Sequence, residues 1–218
     1  MRGLFITLEG IDGCGKSTQS EMLARALQNR GHDVLLTRQP GGTPVGERVR
    51  DIVLANVSAG LAPMAELMLY AADRAQHVSE MIEPAIEAGR IVISDRYTDS
   101  TVAFQGHGRG LSIEVVNELN RLATGGLAPD LTILLDLEPE AARSRLDARQ
   151  SAVASEKGMT RFEDEASEFH DRVREGYAKL AAAHPSRIRT VDASGPTEAT
   201  HEAVLAVVLA LIETMNDE

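Results

Sequence analysis

Gly10-Ile11-Asp12-Gly13-Cys14-Gly15-Lys16-Ser17-Thr18 is the stretch that decides the fold. It follows an apolar run, Leu4-Phe5-Ile6-Thr7-Leu8, and precedes a helical pattern with Met22, Leu23, Ala26 and Leu27 on one side. A buried strand therefore turns into a helix across it. The spacing G-x-x-x-x-G-K-[ST] has a physical reading. Gly10, Gly13 and Gly15 admit backbone conformations closed to residues with a Cβ, so successive N–H groups converge on phosphate oxygens. The helix that starts near Lys16 adds the partial positive charge of its N-terminus. In such a loop the lysine reaches the β and γ phosphates and the hydroxyl of Ser17 holds Mg²⁺. Residues 10–18 thus imply a nucleoside triphosphate site, and its use must be read from the rest of the chain.

The 218 residues suffice for one α/β domain with a substantial core, and 43% hydrophobic with 25% charged residues is ordinary for a globular protein. A formal net charge of -11 argues against a general nucleic-acid binder, which needs a basic face. No apolar run reaches the roughly 18 residues of a membrane span, and the N-terminus enters a strand rather than a signal-peptide pattern, so a cytoplasmic protein is expected. The single cysteine, Cys14, excludes an internal disulfide. Its place near a helix N-terminus is one that lowers a thiol pKa, but the motif gives it no catalytic task.

Apolar, β-rich runs recur at 4–8, 34–37, 91–94, 131–135 and 188–191, separated by segments of helical period. This alternation predicts a P-loop NTPase-type α/β fold, a five-stranded parallel sheet with helices on both faces and a short lid. Helices are expected at 16–30, at 44–55, as one long element at 63–88, at 113–124, from 138 toward Arg149, at 163–183 with Phe169, Val173, Tyr177 and Leu180 inward, and at 196–215. Residues 100–110 include Gly106, Gly108 and Gly110 and read as a binding loop, too glycine-rich to be helical throughout.

Several side chains fall where such a fold places ligands. The loop Arg38-Gln39-Pro40-Gly41-Gly42-Thr43 leaves the carboxyl edge of the sheet, where an arginine suits an anion. Asp95 and Arg96 directly follow the third strand, an acid for the magnesium side and a guanidinium for phosphate. Tyr70 and Arg74 are four apart on one helix face; by pattern alone they fit a core aromatic beside a surface ion pair as well as a site. Residues 150–160 lose apolar periodicity between Arg149 and Arg161, which reads as a lid. Asp192 to Gly195 spells D-x-x-G, yet no N-K-x-D occurs to read guanine.

Taken together, the stretch 9–18, the loop 38–43, Tyr70-Ala71-Ala72-Asp73-Arg74, Asp95-Arg96-Tyr97 with Ser100 and Phe104-Gln105-Gly106, and Arg161-Phe162-Glu163 resemble the thymidylate kinases, the bacterial form of the nucleoside monophosphate kinases. The resemblance implies one kinase domain over 1–218 with a lid at about 149–161, in a homodimer. It implies phosphorylation of dTMP by ATP with Mg²⁺, a step in dTTP synthesis, with no nucleic-acid or membrane partner. It further implies that Asp12 faces the deoxyribose 3′-hydroxyl, that Arg96 and Arg38 hold the acceptor phosphate, and that Tyr70 stacks on thymine while Arg74 hydrogen-bonds it. Thr101 stands for a polar contact to the base and Phe104 for crowding at the 2′ position, with Ser100 and Gln105 beside them. Ser17, assisted by Asp95, is implied for the metal, and Lys16, Arg96 and Arg149 for the transferring group.

Four positions depart from the pattern. Gln39 stands where relatives often have Glu, Tyr70 where Phe is more usual, and Thr160 where Asp often precedes the arginine. Gly13 stands where some relatives carry an arginine, so the missing charge is expected from the lid, from Arg149 first and then Arg145 or Arg161. The alternatives are a kinase of the same fold for another nucleotide or nucleoside, and a nucleotide-dependent switch.

Overall fold

The computed structural model describes residues 2–55, 60–152, 162 and 165–216. Five parallel strands, β1 (Phe5–Glu9), β2 (Val34–Arg38), β3 (Ile91–Asp95), β4 (Leu131–Asp136) and β5 (Ile188–Asp192), form one sheet in the order β2-β3-β1-β4-β5. β1 is central and buried at every position, paired Leu8 to Asp95 on one side and Leu8 to Ile133 on the other. β3 and β4 are equally apolar, whereas the outer strands β2 and β5 expose part of their length. The pattern follows the order of the sheet, since only the edges meet solvent.

Alternate residues of β1 and β3 face opposite layers. Ile6, Leu8 and Ile93 pack with Leu23, Ala24 and Leu27 of α1 (Lys16–Gln28) and with Val204 and Val208 of α9 (Thr197–Asn216). Phe5 and Val92 face the other way, against Val78, Ile82, Ala85 and Ile86. Between α1 and α9 the chain forms α2 (Pro44–Leu54), α3 (Pro63–His77), α4 (Glu83–Glu87), α5 (Thr98–Thr101), α6 (Ile113–Thr124), α7 (Pro139–Ala152) and α8 (Ser167–Ala183). Thr43 caps α2, accepting the Gly46 N–H at 2.9 Å ahead of Pro44, and Gly125 closes α6 at φ 60°.

Two expectations need correction. The helix expected at 63–88 carries a π-helical turn, Val78–Ile82, between α3 and α4. Pro84 explains it: proline has no N–H to donate and its ring clashes with the carbonyl four residues back, so the turn widens and the Glu83 N–H reaches the Val78 carbonyl. The segment expected as a loop at 100–110 is helical as far as Gly108. α5 continues into π-helical Val102–Gly108, where Gly106 and Gly108 serve packing, and only Gly110, at φ 75° beyond the helix, turns the chain. A Cβ at Gly106 would lie 2.6 Å from Ile113, one at Gly108 2.6 Å from Phe169, and one at Gly176 of α8 2.7 Å from His107. Glycine on both partners lets α8 lie against this segment. No helix among the described residues is long and apolar enough to cross a membrane.

Candidate active site

The carboxyl ends of β1, β2 and β3 open into a cleft of about 580 Å³. On one side lies the loop before α1, with Gly13 at φ 84° and Gly15 at φ 101°, conformations that favour glycine. A Cβ at Gly13 would also stand 2.5 Å from the Ala142 carbonyl of α7, so no side chain fits there. Lys16 is buried and folds over the loop, donating to the Ile11 carbonyl at 2.8 Å. The Ser17 hydroxyl meets Asp95 Oδ2 at 2.5 Å at the end of β3. The Cys14 thiol is buried, and that burial pushes its pKa up despite Lys16.

Facing this loop is Arg96, the one non-glycine residue with positive φ among those described, at 74°. Hydrogen bonds hold its backbone there: the Arg96 N–H to the Leu8 carbonyl at 3.0 Å, the Ser94 hydroxyl to the Arg96 carbonyl at 2.8 Å, and the Tyr97 N–H to Glu9 Oε1 at 2.7 Å. Its Nη2 pairs with Asp12 Oδ1 at 2.6 Å, and its guanidinium lies 4.8 Å over the Phe104 ring. Burial alone would raise the Asp12 pKa; Arg96 and then Lys16 hold it below the usual carboxylate range. Burial and then the Asp99 carboxylate push Glu9 up.

Arg38, at the end of β2, is half exposed and held by Glu47 of α2 at 3.0 Å. Arg74 is buried and already triply anchored, from Nε to Gln39 Oε1 at 3.0 Å, Nη1 to Asn120 Oδ1 at 2.9 Å and Nη2 to the Tyr97 carbonyl at 3.1 Å. Because Gln39 Oε1 accepts from Arg74, its Nε2 is the donor to His77 Nδ1 at 3.0 Å. That fixes the proton of neutral His77 on Nε2, directed to Thr37 Oγ1 at 2.7 Å, and burial brings the His77 pKa down to about 4. A glutamate at 39 would have no proton for His77 Nδ1. Next to Arg74, Asp73 Oδ1 accepts the Gly41 N–H at 2.9 Å while its buried Oδ2 has no partner among the described residues, and burial raises its pKa to about 6.

Tyr70 and Phe104 each approach Phe162, with ring centroids 6.5 and 5.8 Å away. Thr101 Oγ1 is buried without a partner among the described residues, and Gln105 donates to Glu66 at 2.7 Å. Arg145 Nη2 donates to the Ala193 carbonyl at 2.8 Å, on the loop after β5.

Most residues singled out from sequence converge: Asp12 to Thr18, Arg38, Tyr70, Arg74, Asp95, Arg96, Ser100, Thr101, Phe104 and Gln105 all line this cleft. Gly10 and Ile11 sit behind it, Ile11 with its side chain in the core. The Arg149 side chain, Arg161 and residues 153–160 of the expected lid lie outside the described residues. Sequence reasoning included Glu9 in the matching stretch without a task of its own and missed Asn120, His77 and the Tyr177 hydroxyl, whose partners are far away in the chain.

The sequence profile of the thymidylate kinase family matches residues 8–204. The thymidylate kinase of Solidesulfovibrio magneticus is 50% identical over 96% of this chain and 100% of its own. That of Citrifermentans bemidjiense is 52% identical over 91% of this chain and 88% of its own. The crystal structure of thymidylate kinase from Ehrlichia chaffeensis superimposes with a TM-score of 0.76 at 33% identity, covering 96% of this chain and 99% of that one.

Proposed function

The chain belongs to the thymidylate kinase family and phosphorylates dTMP with ATP; from that premise we propose how its residues divide the work. The supporting observation is that one cleft has the amide-rich loop and Lys16 on one side and Arg96, Arg38 and the Tyr70–Phe104 aromatics on the other. Two anion pockets of different construction thus share one space. ATP phosphates occupy the loop at 10–18, with Lys16 leaving the Ile11 carbonyl for the β and γ phosphates. The acceptor phosphate docks on Arg96 and Arg38, Asp12 takes the 3′-hydroxyl, and Tyr70, Arg74 and Thr101 meet the base. Thr101 Oγ1, buried with no partner among the described residues, suits that polar contact.

The acceptor is already an anion, so positioning and charge neutralisation supply the catalysis and no general base is required. Ser17 and Asp95 bring a hydroxyl and a carboxylate oxygen together, hard donors of the kind Mg²⁺ takes when substrate phosphates complete its shell. Bound there, it would neutralise charge on the donor phosphates. Because Gly13 leaves no room for a side chain, an arginine on the transferring group must come from elsewhere, and we assign Arg149 of the lid.

We also propose that residues 1–218 act as one domain and that the protein works in the cytoplasm as a homodimer. α2 packs on α3 and α3 on α6, and this layer exposes Val45, Ile52, Met64, Met68, Val115 and Leu122, an apolar face suited to a second copy. ADP formation with and without dTMP tests the function. Turnover with dTMP and not with dCMP, AMP or thymidine is expected. Hydrolysis indifferent to acceptor would refute it.

A further inference from the structure

Tyr177 lies on α8, remote in sequence from every motif of the site, and its ring is core: buried, 6.4 Å from the Phe104 ring. Its hydroxyl is not idle. It stands 3.1 Å from Arg96 Nη1, 2.9 Å from Ser100 Oγ and 2.9 Å from Glu9 Oε2, while Ser100 Oγ is 2.9 Å from the same Nη1 and 2.5 Å from the same Oε2. A guanidinium only donates and a carboxylate only accepts, so each hydroxyl accepts from Arg96 and passes its own proton to Glu9. Glu9 therefore holds Arg96 twice, at the main chain through the Tyr97 N–H and at the side chain through two hydroxyl relays.

The bonding leaves the guanidinium lopsided. Nη1 is surrounded by the Gly10 carbonyl at 3.1 Å and the two hydroxyls, and Nη2 gives one bond to Asp12. Nε has no hydrogen-bond partner among the described residues, and Nη2 keeps a second hydrogen. A direct Glu9–Arg96 ion pair would occupy the fork and offset its charge; relays orient it and leave donors for an oxyanion.

We infer that Tyr177 is a positioning residue for the acceptor phosphate, its hydroxyl fixing which edge of the Arg96 guanidinium faces the cleft. The inference rests on Arg96 being the phosphate-docking group. It goes beyond that reading by giving a task to a residue of α8 that never touches substrate.

The test is Tyr177→Phe in the full chain, which keeps the ring and deletes only the hydroxyl. Binding of dTMP and of thymidine is measured by calorimetry, and KM for dTMP and for ATP by steady-state kinetics. Loss of one bond to a charged group corresponds to about a tenfold weakening for dTMP, with thymidine, which has no phosphate, and the KM for ATP unchanged within about twofold. Wild-type dTMP affinity, or parallel losses for dTMP, thymidine and ATP, would overturn the inference, the latter marking a hydroxyl that only supports the fold. Arg96→Lys separates the two levels: if it leaves the preference for dTMP over thymidine intact, the assignment of Arg96 fails whatever Tyr177 does. Should Tyr177→Phe not fold, Tyr177→Met keeps a buried apolar side chain without the hydroxyl and carries the same expectation and the same refutation.

Discussion

Replacing Asp73 with asparagine removes a carboxyl whose burial raises its pKa from the ordinary 3.8 to about 6. Above pH 6 the folded protein holds an ionised carboxylate that the unfolded chain ionises more easily; below about pH 4 the group is protonated in both states. Between these limits the folded state binds more protons, so this group's contribution to stability falls as pH rises, by about 3 kcal/mol in all. His77 acts in the opposite sense. Its pKa drops from 6.5 to about 4 on folding, so the unfolded chain binds more protons in that window and stability rises with pH by a similar amount. In the wild type the two contributions oppose each other, and in Asp73→Asn only the histidine remains. The amide retains an oxygen for the Gly41 N–H, and the mismatch of its NH₂ at the partnerless Oδ2 position is an offset independent of pH. The stability of the variant minus that of the wild type should therefore grow by about 3 kcal/mol from pH 4 to pH 7, or about 6–12 °C in Tm for a chain of this size. Calorimetric melts at constant ionic strength measure it. A difference that stays level within about 1 kcal/mol over that range would refute the reasoning.

Three further outcomes are expected. Arg149→Ala should lower kcat by about 10³-fold or more with little change in the KM for dTMP; normal turnover in a steady-state assay would remove the lid arginine from the mechanism. Gly13→Ala forces a Cβ to 2.5 Å from the Ala142 carbonyl at a φ of 84°, so a loss of about 2–4 kcal/mol and weaker ATP binding are expected, read by denaturant titration and nucleotide KM. Met68→Asp, on the exposed face of α3, should shift sedimentation from dimer to monomer at micromolar concentration, and an unchanged profile would place the interface elsewhere.

The strands were legible because each is an apolar run between polar segments, and the loop at 10–18 because its chemistry dictates its spelling. Lys16 and Ser17 could be placed in the cleft on that footing, and Asp95 from its position at the end of β3. What escaped depended on contacts that periodicity does not encode. Gly106 and Gly108 carry the composition of a loop, and only their approach to Ile113 and Phe169 shows why they sit in helix. Tyr177 falls correctly on the inward face of α8, yet nothing local announces that its hydroxyl meets Glu9. Arg74 has the spacing of a surface ion pair, and its burial follows from Gln39 and Asn120, which come from two other parts of the chain. Gln39, a departure from the family pattern, was visible as an oddity before His77 gave it a partner.

Glu9 is the last residue of β1 and Gly10 the first of the phosphate loop, and the Gly10 carbonyl takes a bond from Arg96. In the proposed assignment one peptide unit is therefore common property of the pocket for the donor and the pocket for the acceptor. Whatever change ATP imposes on that unit is felt by dTMP, and linkage requires the effect to be returned by the same factor. The two substrates should alter each other's affinity without ever needing to touch.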